Sequence, residues 1–365
     1  MAITKPLIVG MGRVGNLIAL LLTERGMQVA GVGMETLPSM PTNLDYTSAD
    51  ITDPQILADL CRGKDAVIAC LPYHLILGVA QVAHTLGIHY FDLTEDVATA
   101  RAIRTLAASA GGVMIPHNGL APGFIGMLGA YLAQQFEPGT LRHIKLRVGA
   151  LPQHPTGQLG YAVNWSPEGL LRSYTAACDA LVNGKRHRVP ALSNPEILRI
   201  GGVAYEAFTT SGGLGTMAET YEGHVETLDY KSIRYPGHLA GMHLLLEELR
   251  FKEDIGGLVR RIRLALPPDD ADWVLVHASA QGNKHGTLQT QALVMEYRPL
   301  NIGDRSRTAI AWTTAASLTA VVELVSNGTL PQQGFVKQED IPLRAFLHTT
   351  TGRLFAEHHP ALQAL

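Results

Sequence analysis

Near the start of the chain, the apolar triplet Leu7-Ile8-Val9 runs without a break into Gly10-Met11-Gly12-Arg13-Val14-Gly15, a GxGxxG pattern. A helical stretch over 16–25 follows, Gly26 stops it, and 28–32 reads as a second strand. A strand that is apolar at every position suits a parallel sheet buried on both faces. The three glycines have separate tasks in such a unit. Gly10 permits the tight turn, Gly12 lets the backbone approach a pyrophosphate, and Gly15 lets the helix pack on the strand. The helix N-terminus adds free N–H groups and the positive end of its dipole. GxGxxG by itself is a weak signal; set between strand and helix in a βαβ unit of this length, it points to a dinucleotide. Gly10, Gly12, Arg13, Val14 and Gly15 are therefore expected at the cofactor.

Strands and helices keep alternating. A third strand is expected over 44–47, and a helix over 54–62 with Asp53 as N-cap and Pro54 at its first position. Strands at 66–71, 89–93 and 112–115 enclose helices over 75–86 and, after Thr94-Glu95-Asp96, to about 110. Ligands of open α/β sheets sit beyond the carboxyl ends of the strands. That places Leu71-Pro72, Thr94-Glu95-Asp96 and His117-Asn118 around a nicotinamide, with Asp50 in the loop after the third strand also at the cofactor. Glu95 and Asp96 have a second reading, as acidic residues favoured at a helix N-terminus.

The ribose end of the cofactor is read from the close of the second strand. An acid is expected at Gly33, and glycine stands there. Glu35, about 20 residues beyond the last glycine of the motif, is in position to take the ribose hydroxyls. A small residue at Gly33 would instead admit a 2′-phosphate, which needs a nearby cation. No Lys or Arg occurs between Gly26 and Cys61, and Arg13 is the nearest. NAD is expected over NADP.

Composition narrows the function classes. Charged residues make up 17% and apolar residues 46% of 365, enough apolar side chain for a buried core and too much for a disordered chain. With 29 basic and 32 acidic residues and no basic cluster, capture of nucleic acid has no support. The longest apolar helical stretch, 309–325, carries Thr and Ser residues and Glu323, and reads as a buried helix, not a bilayer span. The 3 cysteines form no CxxC and no cleavable leader is seen, so a reducing, cytoplasmic address is expected. Of the 15 histidines, none forms HExxH, and His238 and His243 do not align on one helix face; no metal is expected.

Beyond residue 120 the pattern turns to longer strands, at 143–151, 203–210, 225–235, 272–281 and 287–297, whose alternation suits a sheet with one buried face. Helices over 238–251 and 309–325 are expected to cover it. The class is α/β: a Rossmann-type parallel sheet domain over 1–120, then an α+β substrate and dimerisation domain over 121–334. A last helix, within 335–365, is expected to pack back on the first domain.

Five segments then occur in order: Gly119-Leu120-Ala121-Pro122-Gly123, Val148-Gly149-Ala150-Leu151-Pro152, Asn164-Trp165-Ser166-Pro167, the run from Glu206 to Gly213, and the run from Leu228 to His238. Together they resemble the saccharopine dehydrogenase-like family, and within it the lysine 6-dehydrogenases, over nearly the whole chain. The resemblance implies an NAD(P)-dependent oxidoreductase acting at a C–N bond of a basic amino acid, and a homodimer built through the second domain. For lysine the reaction is oxidative deamination of the ε-amine to the semialdehyde, which closes to a cyclic imine.

That chemistry assigns roles. Arg234 is the candidate for the α-carboxylate, which favours a bidentate cation. His238 is the candidate base near neutral pH, with Glu95 and Asp96 next in line. Asp92, Tyr161, Trp165, Thr210 and Ser211 are placed at the substrate. Two other readings stay open. One is a saccharopine- or carboxynorspermidine-type reductase, whose second carboxylate or longer amine needs a further cation from Lys145, Arg147 or Arg172. The other is an NAD(H)-binding sensor without turnover.

Overall fold

The computed structural model describes residues 2–34 and 44–365. They form two compact units, 1–127 with 311–365, and 128–310. In the first, β1 (Pro6–Val9) leads through α1 (Arg13–Glu24) to β2 (Ala30–Gly33), and β3 (Asp45–Ser48) follows. Then come α2 (Pro54–Cys61), β4 (Ala66–Ala69), α3 (Tyr73–Leu86), β5 (His89–Asp92), α4 (Val97–Ala107) and β6 (Val113–Ile115). The strands are all parallel and ordered β6-β5-β4-β1-β2-β3. This is the doubly wound order in which the chain reverses direction between β1 and β4, opening a crevice above β1. Every residue of β1, β4 and β5 is buried, as strands covered on both faces must be. Asp53 caps α2 as expected, accepting from the Gln55 N–H at 2.8 Å with Pro54 behind it.

Helix α5 (Phe124–Ala133) opens on the Gly119–Gly123 turn. That turn is small-residue by necessity: at Gly123, where φ is +131°, a Cβ would lie 2.1 Å from the Gly119 carbonyl oxygen. The second unit then adds β7 (His143–Pro152), α6 (Pro167–Thr175), β8 (Cys178–Val182), β9 (Lys185–Val189), β10 (Glu196–Ile200), β11 (Val203–Thr209), α7 (Met217–Thr220) and β12 (Thr227–Arg234). After α8 (His238–His243) and α9 (Ile255–Ala265) come β13 (Asp272–Lys284), β14 (Thr287–Tyr297), β15 (Leu300–Ile302) and β16 (Arg305–Arg307). The main sheet is mixed, ordered β10-β11-β12-β7-β13-β14, with the β8–β9 hairpin joined to β12. Leu151, Ile233 and Leu275 from the sheet pack with Leu170 of α6, Met242 of α8 and Ile262 of α9.

Three expectations are corrected. The helix expected over 238–251 stops at His243, continues as a π turn over Leu244–Glu248 and breaks at Arg250, whose φ is +57°. The long apolar helix α10 (Ala309–Ser326), expected over the second sheet, is assigned otherwise. Past its first two residues it belongs to the first unit, where Ser317 donates to the Gly119 carbonyl and Trp312 packs on Phe355. It has the length and composition of a membrane span, yet most of it is buried within the protein. An apolar helix marks a buried site but not which core receives it. The unit boundaries therefore fall at 127 and 310, where the sequence placed them at 120 and 334. Finally, the single C-terminal helix resolves into β17 (Gly334–Phe335), α11 (Leu343–His348), α12 (Arg353–Glu357) and α13 (Pro360–Gln363). β17 extends the parallel sheet beside β6.

Candidate active site

The first unit carries a nucleotide seat. At Gly10 φ is +97° and a Cβ would stand 2.3 Å from the Cys70 carbonyl oxygen. A Cβ at Gly15 would stand 2.0 Å from the Gly10 carbonyl oxygen. Both positions exclude any side chain. Gly12 is the opposite case: it is the N-cap of α1, and a Cβ there meets nothing within 4 Å. The backbone is thus bare on the face of a helix N-terminus, the space a pyrophosphate fills. A dinucleotide fits this loop. Arg13 is exposed and Val14 half-buried at the first turn of α1; Leu71 lies against Gly10, and Pro72 is the N-cap of α3. Asp50 is exposed, and its Oδ1 accepts from the Thr52 N–H and hydroxyl at 2.9 and 2.7 Å, which gives it a turn-forming role. Glu35 lies outside the described residues.

At the carboxyl ends of β5 and β6 the hub is Asp92, fully buried. One oxygen accepts from the Tyr90 hydroxyl at 2.7 Å, the other from the N–H groups of Thr94 and His117 at 2.9 and 3.2 Å. Burial pushes its carboxyl up to about 6 despite these donors. Asp92 therefore organises the loops, where the sequence placed it on the substrate. His117, with a left-handed φ of +65°, directs Nδ1 to the Thr94 carbonyl at 2.8 Å, and burial lowers its pKa to about 4. The Asn118 amide nitrogen is held by the carbonyls of Ile115 and Asp92, while its Oδ1 is a buried acceptor without a partner among the described residues. Asp96 is the N-cap of α4, accepting from the Thr99 N–H and hydroxyl, both at 2.8 Å. The capping role wins there. Glu95 is half-buried beside it.

The second unit holds a different site, around a buried cation. Arg234, at the end of β12, is 4% exposed, and no carboxylate among the described residues pairs with it. Its guanidinium lies 4.8 Å from the ring centre of Tyr161, a cation–π contact. Nε donates to the Tyr174 hydroxyl at 2.9 Å and Nη1 to the Ile233 carbonyl at 2.8 Å. The Tyr161 hydroxyl in turn accepts from Trp165 Nε1 at 2.8 Å. His238 joins the cluster through Nε2, 3.0 Å from the Tyr174 hydroxyl, and through Nδ1, 2.8 Å from the Leu159 carbonyl.

His238 is corrected as a base. Burial, then the Arg234 charge, pushes its pKa down to about 3, and both ring nitrogens are already engaged. Thr210 and Ser211 are also occupied: Thr210 bonds Ser232 at 2.8 Å, and the Ser211 hydroxyl donates to the Ala177 carbonyl at 3.2 Å. Of the residues the sequence singled out for substrate, Arg234, Tyr161, Trp165 and His238 come together. Tyr174 is the member that sequence reasoning missed. The signal was Ser166-Pro167, an N-cap followed by proline, which starts α6 and carries Tyr174 into the cluster.

The further cations that the sequence offered take other positions. In β12, side chains alternate, so Lys231 and Arg234 take opposite faces of the sheet. Arg147, paired with Lys231 in register, is bound bidentately by Asp229 at 3.0 Å and also by Glu196. Lys145, two residues before Arg147, shares that face, and Arg172 is on the exposed side of α6. Among the described residues, no group of three or more His, Cys, Asp or Glu side chains gathers for a metal.

Residues 7–115 match the saccharopine dehydrogenase NADP binding domain, and 119–355 match the saccharopine dehydrogenase C-terminal domain. The chain belongs to the saccharopine dehydrogenase family. Among solved structures it is similar to the apo saccharopine dehydrogenase (L-Glu forming) of Saccharomyces cerevisiae, at 17% identity and a TM-score of 0.74, covering 94% of this chain and 97% of that one. It is also similar to the C. glutamicum DAP dehydrogenase in complex with DAP, at 12% identity and a TM-score of 0.51, covering 98% and 100%. At these identities the likeness establishes the shared fold. Family and seat together make this saccharopine dehydrogenase-like chain an NAD(P)-dependent oxidoreductase of the amino-acid dehydrogenase kind, with a nicotinamide dinucleotide as cofactor.

Proposed function

We propose that the chain is an NAD-dependent L-lysine 6-dehydrogenase in which Arg234 holds the α-carboxylate. The observation that carries this reading is the buried Arg234 guanidinium, which lacks an acidic partner among the described residues. A buried charge without a counter-ion is costly, and a substrate carboxylate removes that cost while gaining charge-assisted hydrogen bonds. Tyr161 supplies an aromatic wall beside it. Lys145 and Arg147 take the opposite sheet face from Arg234 and Arg172 the exposed side of α6, which favours a substrate with one carboxylate over saccharopine-type substrates.

The reaction removes a hydride from the ε-carbon and a proton from the ε-nitrogen; water then adds to the imine and ammonia leaves. The nicotinamide, when bound, accepts the hydride. The chain holds the amino acid by its carboxylate, excludes water around the guanidinium, and must accept a proton. His238 is neutral with both nitrogens committed, and the Asp96 carboxylate caps a helix, so neither is assigned the proton.

The test is NAD reduction with L-lysine and with cadaverine, which lacks the carboxylate. Arg234→Lys keeps the charge and loses the fork, so KM for lysine should rise about tenfold, the size of one charge-assisted bond, with cadaverine unchanged. An equal loss for both amines sinks the carboxylate assignment. Turnover with saccharopine and none with lysine supports the reductase reading, and NADH binding without amine-dependent turnover supports a sensor.

A further inference from the structure

We propose that Tyr174 is a positioning residue that decides which edge of the Arg234 guanidinium is offered to a substrate carboxylate. The inference rests on the reading that Arg234 is the carboxylate seat. It follows from a chain of hydrogen bonds whose direction is forced from both ends.

Arginine can only donate, so at 2.9 Å the Tyr174 oxygen accepts from Arg234 Nε. The Leu159 carbonyl can only accept, so at 2.8 Å it takes the proton of His238 Nδ1. A neutral imidazole has one proton, which leaves Nε2 as an acceptor, and the Tyr174 hydroxyl donates to it at 3.0 Å. Each group in the middle hands on one hydrogen, and no rotation of the hydroxyl is left free. Tyr174 itself is buried, 2% exposed, and its ring lies edge-on to both Phe208 and His238. A residue so confined is a fixed reference point.

The consequence is at the guanidinium. Carboxylates bind arginine in a two-toothed fork, side-on through Nε and one terminal nitrogen or end-on through both terminal nitrogens. Tyr174 occupies Nε and closes the side-on edge. Nη1 spends one of its donors on the Ile233 carbonyl, and Nη2 has no partner among the described residues. The edge left open is the end-on one, so the carboxylate is expected there, and its direction fixes where the rest of the amino acid lies. His238 acts behind Tyr174, as the acceptor that holds the hydroxyl, and contacts no substrate.

Calorimetric titration of the NAD-loaded protein with L-norleucine tests this without turnover, since norleucine has the carboxylate and aliphatic chain of lysine but no ε-amine. Tyr174→Phe should raise its Kd about tenfold, with a matching rise in KM for L-lysine, kcat within about twofold, and cadaverine unaffected. Combining Tyr174→Phe with Arg234→Lys should give no further loss beyond Arg234→Lys alone, because the tyrosine acts through the arginine. Additive losses, or equal damage to lysine and cadaverine, overturn the proposal and make Tyr174 a packing residue. Should Tyr174→Phe fail to fold, the His238 pair decides. His238→Gln keeps an acceptor for the hydroxyl and should bind norleucine within about twofold of wild type, while His238→Leu should lose several-fold. Equal affinities for that pair overturn the proposal. If Arg234→Lys leaves norleucine affinity intact, or the wild type does not bind it, the Arg234 seat itself fails and the inference falls with it. If Arg234→Lys weakens binding and Tyr174→Phe does not, only the Tyr174 inference fails.

Discussion

Two buried side chains show how residue-level environment overrides residue type. Histidine is the usual titrating group near neutrality, but His238 is held to about 3 by burial and by Arg234. It stays neutral across the working range of pH. An acid limb of kcat/KM should therefore persist in His238→Gln; loss of the limb in that variant would return the base role to the imidazole. Asp92 runs the other way. Burial raises its carboxyl from 3.8 to about 6, so the folded chain holds that proton more tightly than the unfolded one. Its ionisation lowers stability as pH rises from about 4 to 6, by up to ~3 kcal/mol. Asp92→Asn removes this proton and loses an acceptor. The Tm deficit of the variant should therefore shrink from pH 4 to pH 7, and a deficit that widens would contradict the assignment.

At the scale of elements, the β1–α1 turn is where backbone sterics and ligand chemistry coincide. Gly12→Ala adds a methyl that touches nothing in the protein, so the fold should survive with its Tm unchanged. Cofactor affinity should fall at least tenfold, because the methyl stands where the pyrophosphate approaches. The same titration with NAD and NADP reads the ribose end: Glu35→Ala should weaken NAD more than NADP. Wild-type affinity in Gly12→Ala, or an unchanged NAD/NADP ratio in Glu35→Ala, would remove the corresponding role. Other elements carried signals that went unread. Asn183-Gly184, both at positive φ, turns the β8–β9 hairpin as an Asn-Gly pair does. Asp254 caps α9 by accepting from the Gly257 N–H at 2.8 Å.

For the whole molecule, the open question is association. On the face of the second sheet that carries Lys145, the alternate residues Leu288, Thr290, Ala292 and Val294 of β14 are exposed. An apolar strip on a sheet face is a surface proteins commonly close by two-fold pairing. We propose a homodimer through it. Light scattering should give about twice the chain mass of 39.3 kDa, and Val294→Glu should shift it toward the monomer. A wild-type mass of one chain would contradict the proposal.

The sequence by itself determined what depends on neighbours along the chain. The glycine spacing, the all-apolar β1 and the Asp53-Pro54 cap each follow from local sterics and hydrogen bonding, so the parallel sheet and its nucleotide loop were legible. The ordered motifs of the second half likewise carried the family. Only the tertiary structure decided what depends on contacts between distant segments. It assigned α10, past its first two residues, to the first unit, because an apolar helix satisfies any core that reaches it. It turned Asp92 from ligand contact to loop organiser, because its partners Tyr90, Thr94 and His117 come from two strand ends. It set His238 and Arg234 around Tyr174, 60 residues before Arg234 in the chain. Burial and charge at that point fix what each group can do, and neither can be read from the residue's own type or spacing.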